Sequence, residues 1–300
     1  FDNYAPNAKV IHVFPSSAEL NKSGIKKHLK INADPNNLLE MLVDKIQPPK
    51  YEEWVSYIRN IKELVPDIEA ANSNSPDYIN PFQFYKCLSR SSLSDDVLAM
   101  CSSGGTFTGC LQTYEVKENQ LATTSAAHAS MGYGLATAIG ASFSDRERLV
   151  ILTEGEGGFA QNLQELAIIS KHQLPIKIFI IDNNGYASIR ATQKKFFNGV
   201  YMGCDSNTGL GFPNWEKLFD AFNIKCRYLE ENDINENELN QILHTNLNPE
   251  AWIVKVDPNQ TNWPSIQSKV SKDGSIKSSP IYDMYPKLNE DLYKQVTKYL

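Results

Sequence analysis

The 300-residue sequence lacks the features that mark membrane, nucleic-acid-binding and disulfide-stabilised proteins. No apolar run approaches the roughly 20 residues that a membrane-spanning helix requires. No cluster of lysine or arginine is present and the net charge is −6, which argues against a nucleic-acid partner. The five cysteines form no Cys-x-x-Cys pair, so we expect reduced, inert thiols in a cytoplasmic protein. They are Cys87, Cys101, Cys110, Cys204 and Cys226.

The chain starts with neither a methionine nor a signal peptide, and the sequence AKVIHVF at residues 8–14 predicts a buried strand. We therefore expect a fragment that begins inside a domain. Paired prolines at residues 48–49 interrupt the first helical segment, and the polar, proline-punctuated stretch 66–81 predicts a surface linker. The lysine- and serine-rich stretch 265–279 predicts a mobile arm.

Between the predicted linker and the predicted arm, apolar runs alternate with helical patterns. Strands are predicted at 96–101, 149–152 and 176–181, with helices at 131–142 and 162–171 among them. Near-continuous apolar strands separated by helices are typical of a parallel sheet that is covered on both faces. The sequence therefore predicts a doubly wound α/β fold.

The sequence TEGEGGFAQN, residues 153–162, places three glycines around Glu156 directly after a predicted strand. Glycine-rich turns before a helix commonly bind phosphate through free main-chain N–H groups. Gly155, Gly157 and Ala160 match the dinucleotide pattern G-x-G-x-x-[GA], and Asp182 is placed where an acid would hold a ribose. A buried carboxylate beside a pyrophosphate is repulsive, however, so Glu156 disfavours a dinucleotide.

A divalent cation between Glu156 and a diphosphate would turn that repulsion into attraction. Mg²⁺ prefers about six oxygen ligands, of which the protein often supplies one or two carboxylates. Asn183 lies at the end of the next predicted strand and offers a carboxamide oxygen. The alternative for Asn183 and Asn184 is a plain turn, since Asn-Gly is a strong turn signal. The pairing of Glu156 with Asn183 favours the cation.

A glycine–acid–glycine sequence followed by Asn-Asn one βαβ unit later resembles the cofactor motif of thiamine-diphosphate enzymes. AHASMGYGLATAIGA at 127–141 is similar to the family segment that holds the aminopyrimidine ring. The stretches NLQELAIISKHQLPIKIFIIDNNGYASIRATQ, NTGLGFPNWEKLFDAFNI and DGSIKSSPIYDMYPKL resemble the acetolactate-synthase-like branch. The resemblance covers nearly the whole chain, and it implies the thiamine-diphosphate-binding fold.

The resemblance implies a metal site formed by Glu156, the side chain of Asn183 and the main-chain oxygen of Gly185. It also implies that the diphosphate lies between the glycine turn and the segment after strand 96–101. The residues expected to contact the cofactor there are Gly155, Glu156, Gly157, Gly158, Gly104, Gly105 and Thr106.

Two further residues are implied at the rings of the cofactor. The main-chain oxygen of Ala129 would accept a hydrogen bond from the aminopyrimidine, and Met131 would be the apolar wedge that bends the cofactor. Without the resemblance, Met131 is predicted to belong to a helix core. His128 is expected at the surface or in a cleft rather than as a metal ligand.

The sequence departs from the family pattern in two respects. Glu156 replaces the usual aspartate, which keeps a hard oxygen ligand but opens the choice between Mg²⁺ and Ca²⁺. The glutamate that activates the cofactor in this family belongs to an amino-terminal domain, so we expect the catalytic residue outside this chain. Family active sites lie between subunits, and we therefore expect a homodimer or tetramer and no activity from this chain alone.

The resemblance implies a lyase or transferase that decarboxylates a 2-keto acid, with pyruvate the first candidate, and then performs carboligation. A simple decarboxylase, a C–C hydrolase and a non-catalytic homologue stay open, as does the binding of FAD; a nicotinamide-dependent oxidoreductase is the alternative from another class. The predicted domains are the end of a central domain (1–47), a linker (48–81), the diphosphate-binding domain (82–260) and an arm (261–300).

Overall fold

The chain forms two compact units, residues 1–62 and residues 63–300. The structure, a computed structural model, describes residues 8–24, 26–47, 50–72, 76–270 and 274–299. In this described part, no helix combines the length and the apolar character needed to cross a membrane. The predicted limits of the four domains stay a prediction.

The first unit buries little apolar surface. Its elements are β1 (Ile11–Val13), α1 (Ser17–Leu20), β2 (Leu29–Ile31), α2 (Pro35–Val43) and most of α3 (Glu52–Leu64), with β1 and β2 parallel. The strand expected at 8–14 is therefore present, but the expectation that it is buried is wrong, since Ile11 is 61% exposed. Leu20 is the one buried apolar residue in the described part of this unit, and that part contains no apolar core of its own.

The second unit contains a six-stranded, wholly parallel sheet in the order β4-β3-β5-β6-β8-β7. Its strands are β3 (Val97–Met100), β4 (Leu121–Thr123), β5 (Val150–Gly155), β6 (Ile176–Asp182), β7 (Lys225–Tyr228) and β8 (Glu250–Lys255). Its helices are α4 (Pro81–Ser91), α5 (Gly104–Thr113), α6 (Tyr133–Ser144), α7 (Glu156–Phe159), α8 (Leu166–His172), α9 (Ala187–Phe196), α10 (Trp215–Ala221), α11 (Glu236–His244) and α12 (Glu290–Val296).

Helices cover both faces of this sheet, which confirms the predicted doubly wound fold. Successive strand residues point to opposite faces, so each central strand supplies two cores. Val150 and Leu152 of β5 belong to the core beneath α6, α8 and α10, whereas Ile151 belongs to the core beneath α4, α5 and α11. This burial on both faces explains why the central strands are apolar at nearly every position.

Two segments that the sequence predicts as irregular have defined structure. In the polar stretch 66–81, predicted as a surface linker, a 3₁₀ turn forms at Ala70–Asn72, and Asn72 is 1% exposed. The predicted arm contains short antiparallel pairs, with residues 271–273 outside the described part. These strands are β9 (Ser265–Ile266), β10 (Ser268–Val270), β11 (Ile276–Ser278) and β12 (Met284–Tyr285), paired as β9 with β12 and β10 with β11.

The helix that follows the glycine turn starts earlier than predicted. α7 begins at Glu156, directly after β5, because the glycine turn itself is helical. Asn162, the predicted helix start, is instead a kink with φ −134° and ψ 33° in the 3₁₀ segment Ala160–Glu165 that leads to α8. The helix predicted at 131–142 is shifted to Tyr133–Ser144, which leaves Met131 outside it.

Candidate functional site

The predicted site residues lie at the carboxyl edge of the sheet. β3, β5 and β6 are adjacent and parallel, so the segments that follow them meet at this edge. The register pairs Met100 of β3 with Thr153 of β5, and Gly155 of β5 with Ile181 of β6. In doubly wound folds, ligands bind outside the carboxyl ends of the strands.

Glu156 connects two of these segments. Its side chain is 1% exposed, and Oε1 accepts hydrogen bonds from the main-chain N–H groups of Asn183 (3.0 Å) and Gly185 (2.7 Å). Burial raises the pKa of Glu156 to about 8; the N–H of Gly185 opposes this shift, and the charge of Asp182 adds to it. The structure thus brings Glu156 together with both other residues of the predicted metal site.

The turn that follows β6 has a left-handed backbone. Asn184 has φ 61°, a left-handed value that asparagine tolerates better than most residues. Gly185 has φ 136°, a value that a residue with a side chain rarely adopts. A Cβ atom on Gly185 would overlap the carbonyl oxygen of Cys204 and would lie 2.7 Å from Nη1 of Arg190. Glycine is therefore required at this position, both for its backbone and for the close approach of its neighbours.

Arg190 is a residue of the site that sequence reasoning missed. Its guanidinium donates to the main-chain oxygens of Asn183 (2.7 Å), Asn184 (2.9 Å), Cys204 (3.3 Å) and Pro258 (3.2 Å). It also donates to the carboxamide oxygen Oδ1 of Asn183, at 3.1 Å. The sequence offers no signal for this role, because two of these acceptors lie in segments distant along the chain.

The glycine turn contacts the segment expected at the cofactor rings. The ring of Tyr186 lies against the Cα atom of Gly157, where a Cβ atom would overlap it, and the Cε atom of Met131 is 3.4 Å from that Cβ position. Met131 is 42% exposed, so its alternative interpretation as part of a helix core is wrong. Ala129, two residues before Met131, has a left-handed backbone with φ 50°.

The start of α5 forms the opposite side of the predicted diphosphate site. Gly104, Gly105 and Thr106 open this helix at the carboxyl end of β3, and Thr106 is buried. A Cβ atom on Gly155 would lie 3.3 Å from Oγ1 of Thr106, so the turns after β3 and β5 are in contact. The carboxamide of Asn262 lies beside Gly105, 3.0 Å from the position of its Cβ atom.

A second buried carboxyl, that of Glu154, lies beneath the predicted site. It is 2% exposed and lies against the Cα atoms of Gly134 in α6 and Gly158 in α7, where a side chain would overlap it. Burial raises its pKa to about 8, an effect that the N–H groups of Gly134 and Leu135 partly offset. The sequence signal for Glu154 is a carboxyl at the end of an apolar run, to which the sequence analysis assigns no role.

Comparison with known proteins identifies the family. The family model described as "Thiamine pyrophosphate enzyme, C-terminal TPP binding domain" matches residues 104–253, which include the start of α5 and the turns after β5 and β6. The chain belongs to the thiamine pyrophosphate enzyme family. This membership favours the thiamine interpretation of the glycine turn over the dinucleotide interpretation.

Curated relatives in this family are acetolactate synthase large subunits. The subunit of Porphyra purpurea is 31% identical over 231 residues, which are 75% of this chain and 38% of that protein. The isozyme 2 large subunit of Escherichia coli is 27% identical over 290 residues, which are 92% of this chain and 48% of that protein. The chain therefore spans less than half the length of these relatives.

Two solved structures share the fold. The thiamine diphosphate-dependent 4-hydroxybenzoylformate decarboxylase of Rhodococcus jostii superposes with a TM-score of 0.66 at 19% identity. The match covers 85% of this chain and 45% of the decarboxylase. A benzoylformate decarboxylase from Polynucleobacter necessarius gives a TM-score of 0.65 at 14% identity.

The donor set at the predicted metal site consists of oxygen atoms. No group of three or more His, Cys, Asp and Glu side chains that could hold a metal occurs within the described ranges. The predicted set has one carboxylate, from Glu156; the carboxamide of Asn183 and the carbonyl of Gly185 complete it. Such hard oxygens are the ligands that Mg²⁺ and Ca²⁺ prefer, with water and phosphate filling the remaining positions. The residues present therefore fit a diphosphate-bound divalent cation.

Proposed function

We propose that the chain is the cofactor-binding half of an acetolactate-synthase-type enzyme that requires thiamine diphosphate and Mg²⁺. Its reaction is the decarboxylation of a 2-keto acid, with pyruvate the first candidate, followed by carboligation. The observation that carries this proposal is the buried carboxylate of Glu156, hydrogen-bonded to the main chain of Asn183 and Gly185 in a family that binds thiamine pyrophosphate.

In this proposal the chain binds and orients, and the cofactor supplies the chemistry. Bound thiamine diphosphate stabilises the carbanion that decarboxylation leaves. Glu156, Asn183 and the main-chain oxygen of Gly185 would hold the cation that neutralises the diphosphate. The N–H groups at the start of α5 would bind phosphate oxygens, because helix N-termini favour anions.

The rings of the cofactor would lie along Ala129 and Met131. The partial exposure of Met131, and its approach to Gly157, support an apolar contact between these rings and the glycine turn. The group that activates the cofactor would come from outside these 300 residues, and the second wall of the site from another subunit. We therefore propose that the active protein is a homo-oligomer of a longer chain.

Calorimetry tests the cofactor proposal directly. Thiamine diphosphate with Mg²⁺ should bind, EDTA should abolish the binding, and NAD should give no heat. Glu156→Ala should abolish the Mg²⁺-dependent binding because the cation loses its carboxylate, whereas Glu156→Asp should retain that binding. Glu118→Ala, at an exposed glutamate, is the control. Normal binding by Glu156→Ala, or tight NAD binding in EDTA, would refute the proposal.

Turnover distinguishes an enzyme from a non-catalytic homologue. The 300-residue chain should not consume pyruvate, whereas a longer chain with the amino-terminal domain of the family should release carbon dioxide when cofactor and Mg²⁺ are present. Absence of turnover in that longer chain, despite cofactor binding, would favour a structural or regulatory role for the cofactor.

A further inference from the structure

Arg190 binds the predicted metal loop, Asn183–Gly185, through several hydrogen bonds. Five oxygen atoms accept hydrogen bonds from its Nη1 and Nη2 atoms, at distances between 2.7 and 3.3 Å. Three of these oxygens belong to the loop itself, and the other two belong to Cys204 and Pro258. The guanidinium therefore ties the loop to two segments that follow α9 and β8.

The partners of Arg190 are all neutral oxygens. Across the part of the chain that the structure describes, no carboxylate lies within ion-pair distance of its guanidinium. Four of the five acceptors are main-chain carbonyls, whose positions define the path of the backbone. A planar guanidinium matches such a set because its donors are held in a rigid fork, which a lysine ammonium cannot reproduce.

The fifth acceptor is the carboxamide oxygen of Asn183, the atom expected to bind the cation. A guanidinium only donates hydrogen bonds, so its contact selects the oxygen of the carboxamide over the nitrogen. A carbonyl oxygen has two lone pairs and can accept from Arg190 while it binds a cation. The same arginine thus orients the side chain of Asn183 and fixes its backbone.

We propose that Arg190 is a positioning residue for the divalent cation, acting through Asn183 and the loop backbone rather than by touching the cofactor. This inference rests on the proposed function. Residues that orient metal ligands from behind typically change metal affinity by roughly 10- to 100-fold when they are replaced. The alternative, in which the guanidinium competes with the cation for Asn183, would give an effect of opposite sign.

The test is a Mg²⁺ titration of the full 300-residue chain at fixed thiamine diphosphate, followed by calorimetry. Arg190→Gln should raise the Mg²⁺ concentration at half-saturation by roughly 10- to 100-fold. Arg190→Lys should lie between this variant and the wild type, because charge returns without the fork. Lys194→Gln removes the same charge from an exposed position one turn along α9 and should leave the titration unchanged.

Melting temperatures of the cofactor-free proteins separate positioning from a general structural role. A lower melting temperature with an unchanged Mg²⁺ midpoint would overturn the proposal, and so would a lower Mg²⁺ requirement in Arg190→Gln. If Arg190→Gln does not fold, Arg190→Lys decides by the same criterion. A wild-type chain that shows no Mg²⁺-dependent binding refutes the proposed function; wild-type binding with unaffected variants refutes this inference alone.

Discussion

Replacing Glu154 with glutamine should make the free energy of unfolding of the cofactor-free protein depend less steeply on pH. The carboxyl lies in β5 against Gly134 and Gly158, 2% exposed, and burial raises its pKa from 4.5 to about 8. Between these two pH values the folded state keeps the proton and the unfolded state releases it. The free energy of unfolding therefore falls as the pH rises through this interval.

The magnitude follows from the size of the pKa shift. One pKa unit corresponds to about 1.4 kcal/mol, so between pH 5 and pH 7 this carboxyl should cost the wild type about 2.5 kcal/mol of stability. Glu156 has a pKa of about 8 for the same reason and should contribute a similar slope. Glu154→Gln keeps the shape of the side chain but cannot ionise. Its stability should therefore fall about half as steeply with pH as that of the wild type.

Urea unfolding at pH 5, 6, 7 and 8, without cofactor or metal, measures this slope. Fluorescence of the buried Trp215 and Trp252 reports on the unit that contains the sheet. The comparison uses the change in the free energy of unfolding with pH. A constant difference in that free energy between the two proteins reflects only how well the glutamine amide fits the site. Glu118→Gln, at an exposed position, should keep the wild-type slope. An equal slope in Glu154→Gln and the wild type would refute a neutral, buried Glu154.

Two further substitutions test close packing around the site. Gly157→Ala should lower the free energy of unfolding by about 1–3 kcal/mol because the added Cβ atom overlaps the ring of Tyr186. Gly140→Ala, in open space on α6, should raise it by about 0.5–1 kcal/mol. Urea unfolding measures both changes. Asn72→Ala should cost about 2 kcal/mol because the main-chain N–H of Trp263 loses its acceptor at 2.8 Å and the C=O of Trp263 loses the donor at 2.7 Å, keeping only Gln112. Wild-type stability in this variant would contradict that role.

Local sequence patterns are sufficient to predict the fold, which the structure confirms, and they place Glu156 beside Asn183. The apolar runs predicted β5 and β6 and the doubly wound sheet, because strands buried on both faces cannot alternate apolar with polar residues. Glu156 and Asn183 are recognisable from the sequence because each directly follows a strand, and adjacent parallel strands end at the same edge of the sheet. The family resemblance adds Met131. The local pattern alone favours the alternative, in which Met131 belongs to a helix core.

Only the tertiary structure decided which distant segments support that site. Asn72 and Trp263 are 191 residues apart. The polar sequence around Asn72 predicts a linker because nothing near it in the sequence indicates that Asn72 will bond to Trp263. The carbonyl of Pro258, which follows β8, reaches Arg190 because the sheet order places β8 beside β6, which no short-range pattern encodes. Periodicity and turn chemistry act over a few residues, whereas these hydrogen bonds depend on the order in which the strands assemble.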